Sequence, residues 1–97
     1  MLIIAGWLQV DPAHRGDYLR LVEGVTAAAR RAPGCLAFVQ APDPIEADRI
    51  VIFERWASEA DLLAFRDQPA DDEADEALPP ILGADVRRYE ISAEGPP

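Results

Sequence analysis

The chemistry open to this 97-residue chain rests on few side chains. The run RIVIFERW at 49–56 places one carboxylate, Glu54, two residues before Trp56, among side chains that are apolar apart from two arginines. In a strand, Ile52, Glu54 and Trp56 project to the same face. A carboxylate held among apolar groups resists ionisation, which raises its pKa and fits it to act as a general base. The alternative role for Glu54 is an ion pair with Arg87 or Arg88. Tyr89 offers a phenolic donor to a substrate oxygen, or merely a half-buried strand aromatic. Arg66 offers a cation to an oxyanion, or to the terminal carbonyls of a helix. His14, the one histidine, falls at a helix start and is expected to face solvent. Cys35, the one cysteine, allows no intrachain disulfide and reads as a small buried strand residue. A single His and a single Cys do not furnish a His/Cys metal site within one chain, so no metal is expected.

The elements that must position these groups follow from patterning. LIIAGWLQV at 2–10 is short, apolar and partly β-branched, which predicts a strand. Asp11-Pro12 then supplies a capping carboxylate and a proline at the first helical position. Tyr18, Leu21, Val22, Val25, Ala28, Ala29 and Ala32 form one helical stripe, so a single helix is expected to about Ala32, with Gly16 weakening its first turn. Pro33-Gly34 stops it, Gly34 being suited to a left-handed cap. CLAFVQA at 35–41 predicts a second strand and 49–56 a third, joined by the Pro42-Asp43-Pro44 loop as an antiparallel hairpin. Ser58 caps a second helix carrying Glu59 and Asp61 in its first turn. Residues 67–83 hold six acids between Asp67 and Glu76 and three prolines; a short acidic helix over about 70–78 and an irregular loop are both compatible with them. ADVRRYEIS at 84–92 predicts the fourth strand, and 93–97 a disordered tail. The order is β-α-β-β-α-β, a ferredoxin-like α+β fold whose four-stranded antiparallel sheet carries its helices on one face.

That sheet is apolar on both sides. In the third strand Ile50, Ile52, Glu54 and Trp56 oppose Val51 and Phe53; in the first, Ile3, Ala5 and Trp7 oppose Leu2, Ile4, Leu8 and Val10; in the second, Leu36 and Phe38 oppose Ala37 and Val39. A sheet with one wet face shows clean apolar–polar alternation. Here the face without helices would leave an apolar patch larger than monomers usually expose. A second copy across a two-fold axis is the simplest cover; the alternative is that the 67–83 segment folds under the sheet, for which its acidity makes it a poor lid. The expectation is a homodimer with Val51 and Phe53 at the seam, and with Trp7, Ile52 and Trp56 together beneath the helices.

Composition excludes several classes of partner. Eighteen acids against nine bases give a formal charge of −9, which repels nucleic acid and anionic membrane surfaces. The first residues show neither a basic leader nor a long apolar run, so no signal peptide and no transmembrane span are expected, and a cytoplasmic location is the default.

Several local patterns together resemble a known family: the turn Pro33-Gly34-Cys35-Leu36, the Asp43-Pro44 loop, the junction Glu54-Arg55-Trp56-Ala57-Ser58 and the helix end Leu63-Ala64-Phe65-Arg66. Over residues 1–92 the chain resembles the antibiotic biosynthesis monooxygenases, the dimeric α+β barrel group. The resemblance implies ferredoxin-like protomers paired sheet to sheet, with a pocket between each sheet and its own helices. Members include cofactor-independent oxygenases of quinols and polyketide anthrones, and haem-degrading oxygenases. Where relatives carry a helical His, this chain has Phe65-Arg66; where haem degraders carry an Asn on the first strand, it has Trp7; where anthrone oxygenases carry a polar residue on the third strand, it has Ile52. No haem or other cofactor is therefore expected. The resemblance implies a monooxygenase of a small electron-rich aromatic, with Trp56, Glu54, Tyr89 and Arg66 as catalytic candidates and Trp7, Ile52, Phe65 and Phe38 lining the substrate. Trp56 is a pocket wall on this reading and a core residue on the alternative. Two other roles stay open: a non-catalytic small-ligand binder of the same fold, and a polyketide cyclase or isomerase using Glu54 as base.

Overall fold

The computed structural model describes residues 1–68 and 78–97. The elements are β1 (Leu2–Val10), a 3-10 turn (Pro12–His14), α1 (Arg15–Leu21), α2 (Glu23–Arg31), β2 (Cys35–Pro42), β3 (Arg49–Trp56), α3 (Glu59–Arg66) and β4 (Ile81–Glu90). The sheet is wholly antiparallel, in the order β2-β3-β1-β4, and the fold is the ferredoxin-like α+β arrangement. The acidic helix considered over 70–78 falls, but for its last residue, outside the described residues.

The capping signals act where the sequence puts them. The Asp11 carboxylate accepts from the Ala13 N–H at 2.9 Å, with Pro12 opening the turn. The expected single helix to Ala32 is instead two, because Val22 adopts φ −94°, ψ 0°. The bonds from Val22 N–H to Tyr18 O (3.1 Å) and from Thr26 N–H to Val22 O (3.0 Å) bridge this bend. In the loop between β2 and β3, one Asp43 carboxylate oxygen accepts from the Ile45 and Glu46 N–H groups, each at 2.8 Å. Those two donors, Glu46 foremost, hold the Asp43 carboxyl below its usual range. Arg15 ties the same loop to α1 through the carbonyls of Asp43, Glu46 and Arg49.

Two motifs distant in sequence meet at one corner. The Gly34 carbonyl accepts from the Ala57 N–H at 2.8 Å. Gly34 has φ +80°, and a Cβ there would run into the Asp61 side chain. Asp61 is held in turn by Ser58, whose hydroxyl donates to its carboxylate (2.9 Å) and accepts from its N–H (3.2 Å). The turn before β2 and the start of α3 are thus one packed unit.

Register decides the faces. Leu2 pairs with Trp56, Ile4 with Glu54, Gly6 with Ile52 and Leu8 with Ile50; Phe38 pairs with Glu54 and Gln40 with Ile52. These residues look toward the helices. The core there forms two clusters: Leu2, Ile4, Ala29, Phe38, Trp56 and Leu62 in one, and Val10, Tyr18, Val22, Ile50 and Ile52 in the other. The opposite face carries Val39, Val51 and Phe53, each 37% exposed, with Ile3, Ala5 and Trp7. A bulge between Cys35 and Ala37 takes Leu36 out of the alternation and leaves it half exposed. β4 begins at Ile81, three residues before the expected start, because Ile81 still pairs with Val10 across an irregularity.

Gly6 has φ +153°, and a Cβ on it would collide with the backbone of Asp85 and Val86. Only glycine lets β1 and β4 approach here. Gly6→Ala is expected to cost about 2–4 kcal/mol of stability. Gly24→Ala, in open space on α2, is expected to add about 0.5–1 kcal/mol. Urea unfolding of the two variants checks the opposite signs.

Candidate functional site

Glu54 stands on an interior strand, between Ile4 and Phe38 across the sheet and two residues from Trp56 on the same face. The Trp56 indole Nε1 donates to Glu54 Oε1 at 3.1 Å. This bond fixes the carboxylate against the sheet and occupies one of its oxygens. Glu54 is half-buried and Trp56 fully buried, which for a Trp side chain amounts to about 4–6 kcal/mol of transfer free energy. Phe65, on α3, packs over Trp56 with ring centroids 5.5 Å apart and meets Phe38 edge-on at 6.2 Å. The result is an aromatic cluster of three rings beside one carboxylate.

Cys35 pairs with Trp56 across the β2–β3 ladder. Burial raises its thiol pKa, and the Glu54 carboxylate raises it further. Burial likewise pushes up the Tyr18 phenol in the second core cluster.

The structure brings together four of the eight residues singled out from sequence, Trp56, Glu54, Phe38 and Phe65, while Ile52 shares their face but packs in the second core cluster. Trp7 is not among them. It pairs with Val51 and so lies on the far face, where the Arg49 guanidinium sits 4.2 Å from its ring centre. The expectation that Trp7 and Trp56 share a face is corrected by this register. Tyr89 pairs with Ile3 and belongs to the far face too. Arg66 is exposed in the last turn of α3. Neither Arg87 nor Arg88 reaches Glu54: Arg87 binds Asp85 at 3.0 Å, and Arg88 binds Glu59 at 2.8 Å and Glu90 at 3.1 Å. His14 is exposed, 3.9 Å from the Asp17 carboxylate.

Gln40 is the residue that pattern reading passed over. It shares the helix-side face with Phe38, its neighbour two positions back, and pairs with Ile52. Its alternation phase was the available signal: in the second strand, only Gln40 is polar.

A shallow open groove of about 310 Å³ runs along the edge strand β2, lined by Arg30, Cys35, Leu36, Ala37, Phe38 and Val39. Arg30 Nε donates to the Phe38 carbonyl there at 2.8 Å and so occupies part of the exposed edge. Among the described residues no group of three or more His, Cys, Asp or Glu is placed to hold a metal ion, and no helix is long and apolar enough to cross a membrane.

Because the raised Cys35 pKa keeps the thiol protonated, its reaction with a disulfide reagent at pH 8 is expected to be slower than that of the unfolded chain. Glu54→Gln removes the neighbouring negative charge and is expected to speed the reaction about twofold. Stopped-flow labelling with Ellman's reagent measures both.

With this geometry in place, comparison with known proteins adds the following. Residues 1–76 match the family model described as antibiotic biosynthesis monooxygenase. A curated relative, an uncharacterised protein of Synechocystis sp., is 26% identical over 93 residues, which is 94% of this chain; the chain spans about 63% of that relative's length. A crystal structure from Deinococcus radiodurans, provisionally named an antibiotic biosynthesis monooxygenase, superposes with a TM-score of 0.83 at 21% identity, covering 99% of this chain and 97% of the other. The haem degrader MhuD of Mycobacterium tuberculosis, solved with two haems in its active site, superposes with a TM-score of 0.70 at 17% identity, covering 99% and 100%.

Proposed function

The chain belongs to the antibiotic biosynthesis monooxygenase family, and from that premise we propose that it is a cofactor-independent monooxygenase of a small electron-rich aromatic, a quinol or a polyketide-like ring. One observation carries this reading: a carboxylate, Glu54, held by the Trp56 N–H beside three aromatic rings on the helix side of the sheet. Phe38, Phe65 and Trp56 supply flat apolar surfaces for a planar ring. Glu54 removes a proton from the substrate. The resulting anion is electron-rich enough to reduce O₂ directly. In oxidation of a ring methylene, one oxygen atom becomes the new carbonyl and the other leaves as water with the two hydrogens. The protein's share of the work is to position the ring, take the proton and exclude water.

Haem does not suit the donors present. The α3 position facing the cluster is Phe65, which has no metal-binding atom, and the sole histidine is exposed at the start of α1.

The working unit in this proposal is a homodimer joined through the face opposite the helices. The exposed Val39, Val51 and Phe53, with Ile3, Ala5 and Trp7 beside them, support it. Burying such a face removes an apolar patch from water at roughly 25 cal/mol per Å². Phe53→Asp is expected to turn a dimeric sedimentation coefficient at micromolar concentration into a monomeric one. A monomeric wild type would overturn the assembly.

A second reading, a non-catalytic binder of small aromatic ligands, is favoured by one feature. Trp56 has no exposed surface and its neighbours pack directly on it. Oxygen-electrode assays with a panel of quinols and anthrones discriminate between the two. A monooxygenase consumes O₂ with at least one of them, and Glu54→Gln lowers kcat about 100-fold while Trp7→Phe leaves it unchanged. Binding without O₂ uptake supports the binder. Turnover without O₂ uptake points to a cyclase or isomerase using Glu54 as base.

A further inference from the structure

The helix-side face of β2 and β3 holds two polar side chains in apolar surroundings, Glu54 and Gln40. They stand diagonally on neighbouring strands, since Phe38 pairs with Glu54 and Gln40 pairs with Ile52. Diagonal neighbours on one sheet face are about 7–8 Å apart. The two also mark the line between the two core clusters, with Phe38, Ile4 and Trp56 on one side and Ile50, Ile52, Tyr18 and Val22 on the other.

Their hydrogen bonding differs. One Glu54 oxygen takes the Trp56 N–H. The Gln40 amide oxygen is shut off from solvent and has no hydrogen-bond partner among the described residues; it is the one buried side-chain polar atom there in that condition. A buried acceptor without a donor is costly, and native structures hold few of them. An apolar side chain at position 40 would avoid the cost.

The row to which Gln40 belongs runs across the sheet as Gln40, Ile52, Gly6 and Val86. Gly6 contributes no side chain to it, and Val86 at its far end is 36% exposed. The Gln40 amide oxygen and, diagonally from it, the Glu54 carboxylate both accept hydrogen bonds. A ligand group that meets these atoms must therefore donate.

We propose that Gln40 is a specificity-determining residue of this site, its amide oxygen accepting a hydrogen bond from a second hydroxyl of a planar dihydroxy-aromatic ligand while Glu54 faces the first. The assignment rests on the reading of the helix side as the ligand chamber. It explains why a polar atom is kept buried without a partner: the partner arrives with the ligand. It also sets a preference for free hydroxyls over their ethers, because an ether leaves the Gln40 oxygen unpaired in the complex.

Calorimetric titration with 1,5-dihydroxynaphthalene and with 5-methoxy-1-naphthol tests this. The pair differ only in whether the second oxygen can donate. Wild type is expected to bind the diol about tenfold more tightly. Gln40→Met, which keeps the length and removes the acceptor, is expected to narrow that ratio to about twofold, with circular dichroism verifying the fold. The same variant is expected to melt at a higher temperature than wild type, because it removes an orphaned buried acceptor. An unchanged ratio in Gln40→Met overturns the role of Gln40 and leaves the chamber standing. A lower melting temperature also overturns it, since it reveals a structural hydrogen bond. Failure of wild type to bind either compound overturns the chamber and this assignment together.

Discussion

The pairing of β1 with β3 is the constraint on which the rest depends. Once Leu2 sits opposite Trp56, every other residue of both strands is assigned to a face. A slip of one residue would send Trp56 and Glu54 to the far side and bring Val51 and Phe53 under the helices. Two glycines fasten the flanking elements to this pair. Gly6, at φ +153°, lets the β4 backbone approach β1 more closely than any side chain would permit. At the other end, the Gly34 carbonyl bonds to Ala57 just beyond β3, and Asp61 packs on Gly34 from above. Backbone approaches that only glycine allows thus join β1 to β4 and the turn before β2 to the end of β3.

That corner also explains how α3 comes to cover Trp56. Ser58 and Asp61 form a reciprocal cap at the start of the helix, and Asp61 is wedged against the turn that precedes β2. These contacts fix the direction in which α3 leaves the corner. Leu62 then joins the first core cluster and Phe65 falls across Trp56 and Phe38. Arg88, bonded to Glu59, ties the same end of α3 to β4. Exposed ion pairs of this kind contribute little to stability, so the burial of Leu62 and Phe65 is what holds the helix down.

The elements were legible because their signals are local. Proline after Asp11, glycine after Pro33 and the Ser58 cap each act within a few residues, and each does in the structure what its chemistry requires. The alternation within β1 was legible for the same reason. What could not be read was which half of β1 meets the helices. Trp7 and Ile4 are both apolar, so composition does not choose between their faces, and the choice falls to hydrogen-bonded register with β3. Trp7 therefore went to the wrong side in the sequence reading. The bulge at Leu36 and the bend at Val22 are further departures of one residue each, settled by tertiary contacts and not by a local pattern. Of the candidate residues, Glu54, Trp56, Phe38 and Phe65, which the structure places side by side, were recognisable from strand alternation and from the apolar side of the second helix. Gln40 was not, since a single glutamine at the end of a strand looks like an edge residue until its oxygen is seen to be buried and unpaired.

The contrast between the two sheet faces has a chemical consequence. On the far face the polar groups are mainly arginines at the margins, Arg49 over Trp7 and Arg55 bonded to Glu94, with Val51 and Phe53 between them. Guanidinium groups keep their charge and tolerate partial burial along their stems. On the helix side of β2 and β3 the polar side chains are Glu54 and Gln40, and neither strand places a cation there. A lone carboxylate there gains nothing from ion pairing, and it is held instead by a neutral indole N–H. A neutral donor orients the carboxylate without neutralising its charge. The same sheet thus carries one face with exposed apolar side chains framed by arginines and one with a buried, unpaired acceptor, and β3 belongs to both because its residues alternate between them.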